Sequence, residues 1–317
     1  MSKSTISTYE LSRRFPTPDA AREYMEKKRW NGEPVCPSCG VVEPIYKLGA
    51  VGYYRCPGCK LDFTVRTGTI MERSHIPLDK WLLTMYLLTT ARKGISSLQL
   101  AKELGITQKS AWFLVHRIRE ACGKKHDDDD QNGFLCGLVE ADEAYFGGKE
   151  SNKHESKKLK AGCGAVGKIA VLGMRERDGD VKAVVVLSTD AVTIQAEVSK
   201  AVEAGSVRFT DEHGAYRGIE TFYHAMVNHS AKEFVNGMAH TNGIESVWAV
   251  LKRGFYGTYH SFSGKHLQRY VDMRSSLRRA SVDQSPRHVS KRSGVISRTV
   301  PIPCSFAHAL ILRSVVL

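Results

Sequence analysis

The sequence lacks any apolar run long enough to cross a lipid bilayer. Its most apolar windows are WLLTMYLLTTA, which is too short, and FAHALILRSVVL, which Arg313 interrupts. It also shows no signal peptide at its start. These absences argue against an integral membrane protein, and we expect a soluble protein of the cytoplasm.

Acidic residues are scarce in comparison with basic ones. The chain of 317 residues has 33 Asp and Glu against 46 Lys and Arg, a formal net charge of +13, and it has no acidic residue beyond Asp283. Such an excess favours a polyanionic partner, usually nucleic acid, over a merely basic surface. The length suits two or three modules.

Half of the eight cysteines form two tight pairs. Cys36-Pro-Ser-Cys39 and Cys56-Pro-Gly-Cys59 are separated by sixteen residues that include Gly49 and Gly52. Each Cys-x-x-Cys turn lets two thiolates reach one ion, and a hairpin between the pairs would bring them together. Disulfides are disfavoured in a reducing cytoplasm, and a redox dithiol would not need a matched second pair. We therefore predict a zinc ribbon with a structural Zn²⁺ ion.

Helical patterns surround these cysteines. Before them, Thr17 as the N-cap and Pro18 at the first position predict a helix running toward Trp30. After them, apolar residues at helical spacing predict three helices between residues 77 and 122. The break LGIT supplies Gly105 for a turn and Thr107 for a cap, which is the layout of a helix-turn-helix.

The second helix of that motif is predicted to face a DNA groove. The side chains expected there are Gln108, Lys109, Ser110, His116, Arg117 and Arg119. Beyond this helix, the run KKHDDDDQNG at 124–133 contains four adjacent aspartates that cannot be buried together. We interpret this run as a solvated linker between two modules.

From Phe134 onward the pattern changes to an α/β order. Three strands are predicted first, in FLCGLVEADEAYF, KIAVLGMRER and VKAVVVLS, and they could pair antiparallel. A helix, two more strands and a helix in TNGIESVWAVLKRGF follow. This order matches a ribonuclease-H-like catalytic domain.

Three carboxylates from distant parts of this domain could converge at one edge of the sheet. Asp142 lies on the first strand, Asp211 at the end of the strand VRFTD, and Glu245 in the first turns of the late helix. Clustered carboxylates repel one another unless cations neutralise them, and hard oxygen ligands suit Mg²⁺ or Mn²⁺. Two such ions about 4 Å apart can carry out phosphodiester chemistry.

Basic and aromatic residues near Glu245 suit the same chemistry. Lys252 is seven residues further on the same helical face, and with Arg253 it is predicted to contact DNA phosphates. Trp248 fits a core position better than base stacking. His213, His240 and His260 are candidate general acids, although a structural role is the simpler interpretation for each.

These motifs together resemble bacterial insertion-sequence transposases that carry a zinc ribbon and a helix-turn-helix before a DDE domain. The resemblance spans residues 14–271 and rests on CPSCG, YRCPGCKLDFTVRTGTIM, GISSLQLAKELGITQKSAWFLVHRIREA, VEADEAYFGGK, FTDEHGAY and HTNGIESVWAVLKRGFYGTYH. It implies binding of terminal inverted repeats, strand cleavage that frees a 3′-OH, and joining of that end to target DNA. It also implies a homo-oligomer on DNA.

On the motif positions, the resemblance implies that Asp142, Asp211 and Glu245 are the catalytic and metal-binding carboxylates. Asn242 is the alternative third residue, since some relatives use Asn in this region. The expected domains are an N-terminal helix and zinc ribbon (14–72), a helix-turn-helix region (73–123), the ribonuclease-H-like DDE domain (134–280) and an atypical basic tail (281–317).

The C-terminal segment departs from this family pattern. After LQRYV such proteins continue with an acidic, aromatic-rich helix, whereas this chain reads DMRSSLRRASVDQSPRHVSKRSG. We interpret the last forty residues or so, on composition, as the result of a frameshift or a divergent replacement.

Two alternatives remain open at this point. One is a DNA-binding regulator whose second domain only assembles subunits, and the other is a ribonuclease-H-like nuclease without strand transfer. Clustered carboxylates facing DNA argue against the regulator. Strand transfer separates a transposase from a nuclease.

Overall fold

A computed structural model describes residues 6–42, 44–123, 134–148, 152–159, 165–177, 179–210, 214–216, 223–226 and 240–283. Within them the chain forms two compact units. The first contains residues up to 91 and residues 95–123, and the second contains residues 92–94 and the residues from 134 onward. No helix in the described ranges has the length and apolar character that a bilayer crossing requires.

The first unit begins with two helices, α1 (Thr8–Arg14) and α2 (Pro18–Trp30). The predicted cap of α2 is confirmed, because the Thr17 hydroxyl accepts a hydrogen bond from the Ala20 amide at 3.2 Å and Pro18 follows it. Three two-residue strands come next and form an antiparallel sheet: β1 (Tyr46–Lys47), β2 (Tyr54–Arg55) and β3 (Asp62–Phe63). Trp30 of α2 packs edge-on against Tyr54 and Phe63, which joins the helix to the sheet.

The three helices predicted after the cysteines are also present. They are α3 (Leu78–Thr90), α4 (Ser97–Leu104) and α5 (Gln108–Gly123). Gly105 ends α4 in the left-handed conformation, with φ of 59°, which a glycine adopts without steric cost. The Thr107 hydroxyl accepts a hydrogen bond from the Ser110 amide, so Thr107 caps α5 as predicted.

The second unit is built on a five-stranded sheet. Its strands are β4 (Leu138–Phe146), β5 (Ile169–Glu176), β6 (Val181–Val186), β7 (Val207–Thr210) and β8 (Tyr223–Met226). They lie in the order β6-β5-β4-β7-β8. The first three pair antiparallel, and β7 and β8 add in parallel to β4. The predicted ribonuclease-H-like arrangement is confirmed.

Helices cover both faces of this sheet. Helix α6 (Ala191–Ala201) packs on one face through an apolar cluster that includes Val139, Ala141 and Leu172. Helix α7 (Asn242–Gly254) and helix α8 (Gly264–Asp283) pack on the other face through a cluster that includes Ala144, Val171 and Trp248. Successive strand residues point to opposite faces, so Glu140 and Asp142 lie on the α7 side with Ala144.

The chain after α7 is largely helical up to Asp283. A π-helical turn, Phe255–Tyr259, leads to α8, which continues to Asp283. The Gln268 side chain of α8 hydrogen-bonds the edge strand β6 twice: it accepts from the Val185 amide at 2.7 Å and donates to the Ala183 carbonyl at 3.0 Å. The predicted linker 124–133 and the tail from residue 284 lie outside the described residues.

Candidate metal and catalytic sites

The four paired cysteines form one compact cluster. Their sulfur atoms all lie within 4.8 Å of one another, with 3.6 Å between Cys36 and Cys59 and 3.4 Å between Cys39 and Cys56. Ligands about 2.3 Å from a tetrahedral ion are about 3.8 Å apart, whereas disulfide sulfurs are about 2 Å apart. The cluster therefore fits a single four-coordinate metal ion.

Backbone hydrogen bonds shape the two cysteine turns and favour the thiolate of Cys56. The turn of each pair is closed by the amide of its first cysteine: the Cys36 amide donates to the Val41 carbonyl, and the Cys56 amide donates to the Leu61 carbonyl. In the second pair, the Cys59 amide, assisted by that of Gly58, lowers the pKa of the Cys56 thiol to about 7 despite its burial. Burial and the neighbouring thiols raise the pKa of Cys39, and that of Cys59 to about 12. A thiolate is the form that binds metal, so the amides favour that form at Cys56.

The start of α5 is open to solvent. Gln108 and Lys109 are exposed; Gln108 donates to the Ser97 hydroxyl at 3.1 Å, and the Ser110 hydroxyl is 2.9 Å from that of Thr107. These three positions are predicted DNA contacts and lie in the first turn of the helix.

The expectation that His116 and Arg119 are exposed is wrong, because both are buried at 3% and 2% exposure. Arg117 is half-buried, and its Nη1 donates to the carbonyls of Ile70 and Glu72 at 2.8 and 2.7 Å. That guanidinium therefore ties α5 to the segment that follows the ribbon. Helical periodicity identified the helix but not which of its polar residues the fold would bury.

In the second unit, Asp142 lies in the middle of β4 and is half-buried. Its partner on β5 is Gly173, and a Cβ atom at Gly173 would collide with the Trp248 ring of α7. The aspartate therefore lies on the side of the sheet that α7 covers. Trp248 is 3% exposed, which confirms that it is a core residue.

The candidate third residues lie at the start of α7. Asn242 is the first residue of the helix, and both Asn242 and Glu245 are exposed. The Thr241 hydroxyl donates to Glu245 Oε1 at 2.8 Å, which orients this carboxylate. Lys252 and Arg253 are exposed in the last turn of the same helix.

Asp211 and His213 lie outside the described residues, so the predicted trio is not seen as a whole. Within the described ranges, the four cysteines are the group of His, Cys, Asp and Glu residues whose ligand atoms are close enough to share an ion. Of the two described histidine candidates, His260 is exposed at the end of the π-helical turn and His240 lies against Glu140.

Sequence reasoning missed Glu140, the most buried carboxylate of this region. Glu140 is 1% exposed, and its Oε2 accepts a hydrogen bond from the Ile244 amide at 2.8 Å. Its Oε1 lies 3.2 Å from Arg177 Nε and 3.5 Å from His240 Nδ1. Its Oε2 lies 4.0 Å from Arg175 Nη1. The sequence offered one signal for Glu140: it is a carboxylate that stands between Val139 and Ala141 in an apolar strand.

Two family models match the sequence, and together they span well over half of the chain. The zinc-ribbon domain of transposases matches residues 16–62, and the ISXO2-like transposase domain matches residues 134–275. An uncharacterized protein in the transposable element ISH50 of Halobacterium salinarum is 27% identical over 281 residues. That match covers 84% of this chain and 90% of the relative.

Solved structures give more distant likenesses. A chain of the simian T-cell lymphotropic virus intasome, in complex with PP2A regulatory subunit B56 gamma, is 12% identical with a TM-score of 0.30, covering 70% of this chain and 77% of that one. A chain of the Mos1 strand transfer complex is 11% identical with a TM-score of 0.29, covering 65% and 75%. TM-scores of this size are too low to support an argument, so the assignment of the chain to a family rests on the two family models.

Proposed function

Because the chain belongs to the insertion-sequence transposases that carry a zinc ribbon before a DDE domain, we propose that Asp142, Asp211 and Glu245 form its catalytic site. The enzyme is a DNA transposase. The proposal concerns the residues that perform strand cleavage and strand transfer at the ends of the element.

The observation that carries the proposal is the register between β4 and β7. Glu140 of β4 pairs with Phe209 of β7 in parallel. Asp142 follows Glu140 by two residues, as Asp211 follows Phe209 by two residues. Residues two apart on a strand share a face, so this register favours neighbouring positions for the two aspartates.

Helix α7 supports the third position. Its first turn is held against β4 by the hydrogen bond from the Ile244 amide to Glu140, and Glu245 is the next residue. We propose Glu245 as the third carboxylate, with Asn242, one turn earlier, as the alternative. Lys252 and Arg253 lie further along the helix, where we propose contacts with DNA phosphates.

Oxygen ligands of this kind suit Mg²⁺ or Mn²⁺, and we propose that two such ions bind here. Bound ions would activate a water or a 3′-hydroxyl and stabilise the leaving oxygen. The role of the chain is to hold Asp142 on a rigid strand and Glu245 on a rigid helix. Rigid elements can fix ligands within the narrow range that Mg²⁺ tolerates.

For the first unit we propose a structural Zn²⁺ held by Cys36, Cys39, Cys56 and Cys59. Four sulfur ligands leave no open position for chemistry. We further propose that Gln108, Lys109 and Ser110 contact the terminal inverted repeats, that the protein acts in the cytoplasm as a homo-oligomer on DNA, and that target DNA binds the second unit. Arg117, which was also predicted to contact DNA, is engaged by two backbone carbonyls.

The first experiment measures joining of a labelled, pre-cut end of the element to plasmid DNA in Mg²⁺ or Mn²⁺. We expect Asp142→Asn to reduce joining by roughly 10³-fold, because the substitution removes a charged metal ligand. The same variant should bind the labelled end as well as the wild type does. Its melting temperature should also be unchanged.

A matched control is Glu176→Gln, which removes a carboxylate from β5. The partner of Glu176 on β4 is Val139, on the opposite face of the sheet from Asp142. This variant should join DNA normally. Equal joining by Asp142→Asn and the wild type would disprove the proposed site, and cleavage without joining in the wild type would indicate a nuclease instead.

A further inference from the structure

We propose that Glu140 is a positioning residue, which together with Arg177 fixes β4, β7 and α7 relative to one another. Asp142 lies on β4 and Glu245 on α7, and β7 directly precedes Asp211 in the sequence. The inference rests on the proposed function of those carboxylates. It assigns a role to a buried charged cluster, defined as Glu140, Arg175, Arg177 and the backbone of His240, that lies beside the proposed site.

The first link joins β4 to α7. Glu140 Oε2 accepts the Ile244 amide hydrogen at 2.8 Å, and the residues are 104 positions apart in sequence. The first amides of a helix have no acceptor within the helix and carry its positive dipole end, so a buried carboxylate is a strong partner for them. This bond sets the position of α7 at the residue next to Glu245.

The second link runs through Arg177, just beyond the end of β5. Its Nε donates to Glu140 Oε1 at 3.2 Å, and its Nη2 donates to the His240 carbonyl at 3.0 Å. One planar guanidinium therefore holds both the carboxylate and the backbone that leads into α7. The fixed geometry of the guanidinium makes this arrangement specific, which a lysine ammonium could not reproduce.

The third link reaches β7. The Arg177 guanidinium carbon lies 4.3 Å from the centre of the Phe209 ring, within the range of a cation–π contact. Phe209 is also the strand partner of Glu140. The charged cluster therefore contacts β4 and the start of α7, which carry Asp142 and Glu245, and β7, which ends one residue before Asp211 in the sequence.

The helix approaches this cluster as closely as a glycine permits. A Cβ atom at Gly243 would collide with the Arg175 guanidinium and with Glu140 Oε2. With a larger residue here, the Arg175 and Glu140 side chains would have to move from their observed positions, or α7 would have to move away from β4. The close approach explains how a backbone amide of α7 reaches a side chain of β4 directly.

Glu140 itself is a poor metal ligand. Both of its oxygens accept hydrogen bonds, and two guanidinium groups lie within 4.0 Å of them. Positive charge of this kind opposes a divalent cation. We therefore assign Glu140 to the placement of the metal ligands and not to metal binding.

The test is Glu140→Gln, which keeps the size of the side chain but removes its charge and one acceptor. Hydrogen–deuterium exchange is measured by mass spectrometry on peptides covering residues 240–248. We expect exchange there to accelerate about tenfold or more, because the Ile244 amide loses its charged acceptor. Exchange in α6 should stay at the wild-type rate.

DNA joining supplies the second readout. Small displacements of reacting groups reduce rates by up to about 100-fold, so we expect a loss of ~10- to 100-fold in Mg²⁺. The loss should be smaller in Mn²⁺ than in Mg²⁺, because Mg²⁺ demands near-ideal octahedral geometry. Asp142→Asn should stay inactive in both metals, and Glu176→Gln, with its carboxylate on the other face, should resemble the wild type in both readouts.

Wild-type exchange in residues 240–248, or an equal loss of joining in Mg²⁺ and Mn²⁺, would overturn the inference. If Glu140→Gln does not fold, Arg177→Lys tests the same links and keeps the positive charge beside Glu140. Failure of the proposed function looks different: Asp142→Asn would then join DNA normally, while the exchange measurement would still report whether Glu140 positions α7.

Discussion

The ligands of the four-cysteine cluster come from two tight pairs sixteen residues apart in the sequence. Asp142 and Glu245, in contrast, come from a strand and a helix that are far apart in the sequence of the second unit. The cysteines need only two turns and a hairpin to meet. The carboxylates need the whole sheet, because their positions depend on the register of β4 and on the packing of α7. The comparison teaches that a metal can help to build the first site, while the fold must prepare the second.

The largest effect should come from removing metal from the ribbon. We expect Cys56→Ser to lose bound zinc and to unfold the ribbon, because metal binding to such sites contributes on the order of 10 kcal/mol to folding. The second unit should keep its own melting transition. Zinc analysis and calorimetry measure the two effects, and Cys122→Ser, a cysteine outside the cluster, is the control.

Loss of structure in the second unit of Cys56→Ser would break this comparison, since the two sites would then not be independent. Retention of one zinc ion per chain by Cys56→Ser would show that the cluster is not the metal site.

An intermediate effect should follow from Gly173→Ala. The added Cβ atom would meet the Trp248 ring and Ile244, so α7 must move away from the sheet. Overpacking of this kind costs ~1–3 kcal/mol, which chemical denaturation of the protein would measure. We also expect slower DNA joining, because Glu245 of the proposed catalytic site lies on α7.

Gly148→Ala is the matched control for this change, because a Cβ atom there meets no heavy atom within 4 Å. Should Gly173→Ala prove as stable as the control, the packing of α7 on β5 would be looser than the structure indicates.

The smallest effect should come from Gln268→Ala at the edge of the sheet. The substitution removes two hydrogen bonds to the backbone of β6 and exposes a valine-rich edge strand. We expect about 1–2 kcal/mol of destabilisation and increased aggregation on mild heating, which light scattering would detect. Lys265→Ala, at an exposed position of the same helix, should change neither property.

Local signals in the sequence predicted much of this fold. The cap at Thr17 with Pro18 located α2, and the cysteine spacing located the metal cluster. Apolar patterns predicted β5, β6 and α7 with nearly their observed bounds, and they predicted β4, β7 and β8 as longer segments than the structure describes. Each of these signals lies within a short stretch of the sequence, and elementary stereochemistry is enough to interpret it.

The features that sequence reasoning missed depend on tertiary contacts. Helix α8 has a weak apolar pattern because it packs against the edge of β6 partly through the polar side chain of Gln268. Glu140 gained its role from Arg177 and from a backbone amide far along the chain. Arg117 looked like a DNA contact because its carbonyl partners at Ile70 and Glu72 could not be inferred from its own helix.

The parallel pairing of β4 with β7 has a consequence for the order of folding. Leu138 pairs with Val207, and β5, β6 and α6 all lie between them in the chain, whereas β5 and β6 are joined by a short connection. Closing a long loop costs more chain entropy and slows contact formation. We therefore expect the β4–β5–β6 meander, which includes Asp142, to fold first and the pairing of β7 with β4 beside the proposed active site to form last.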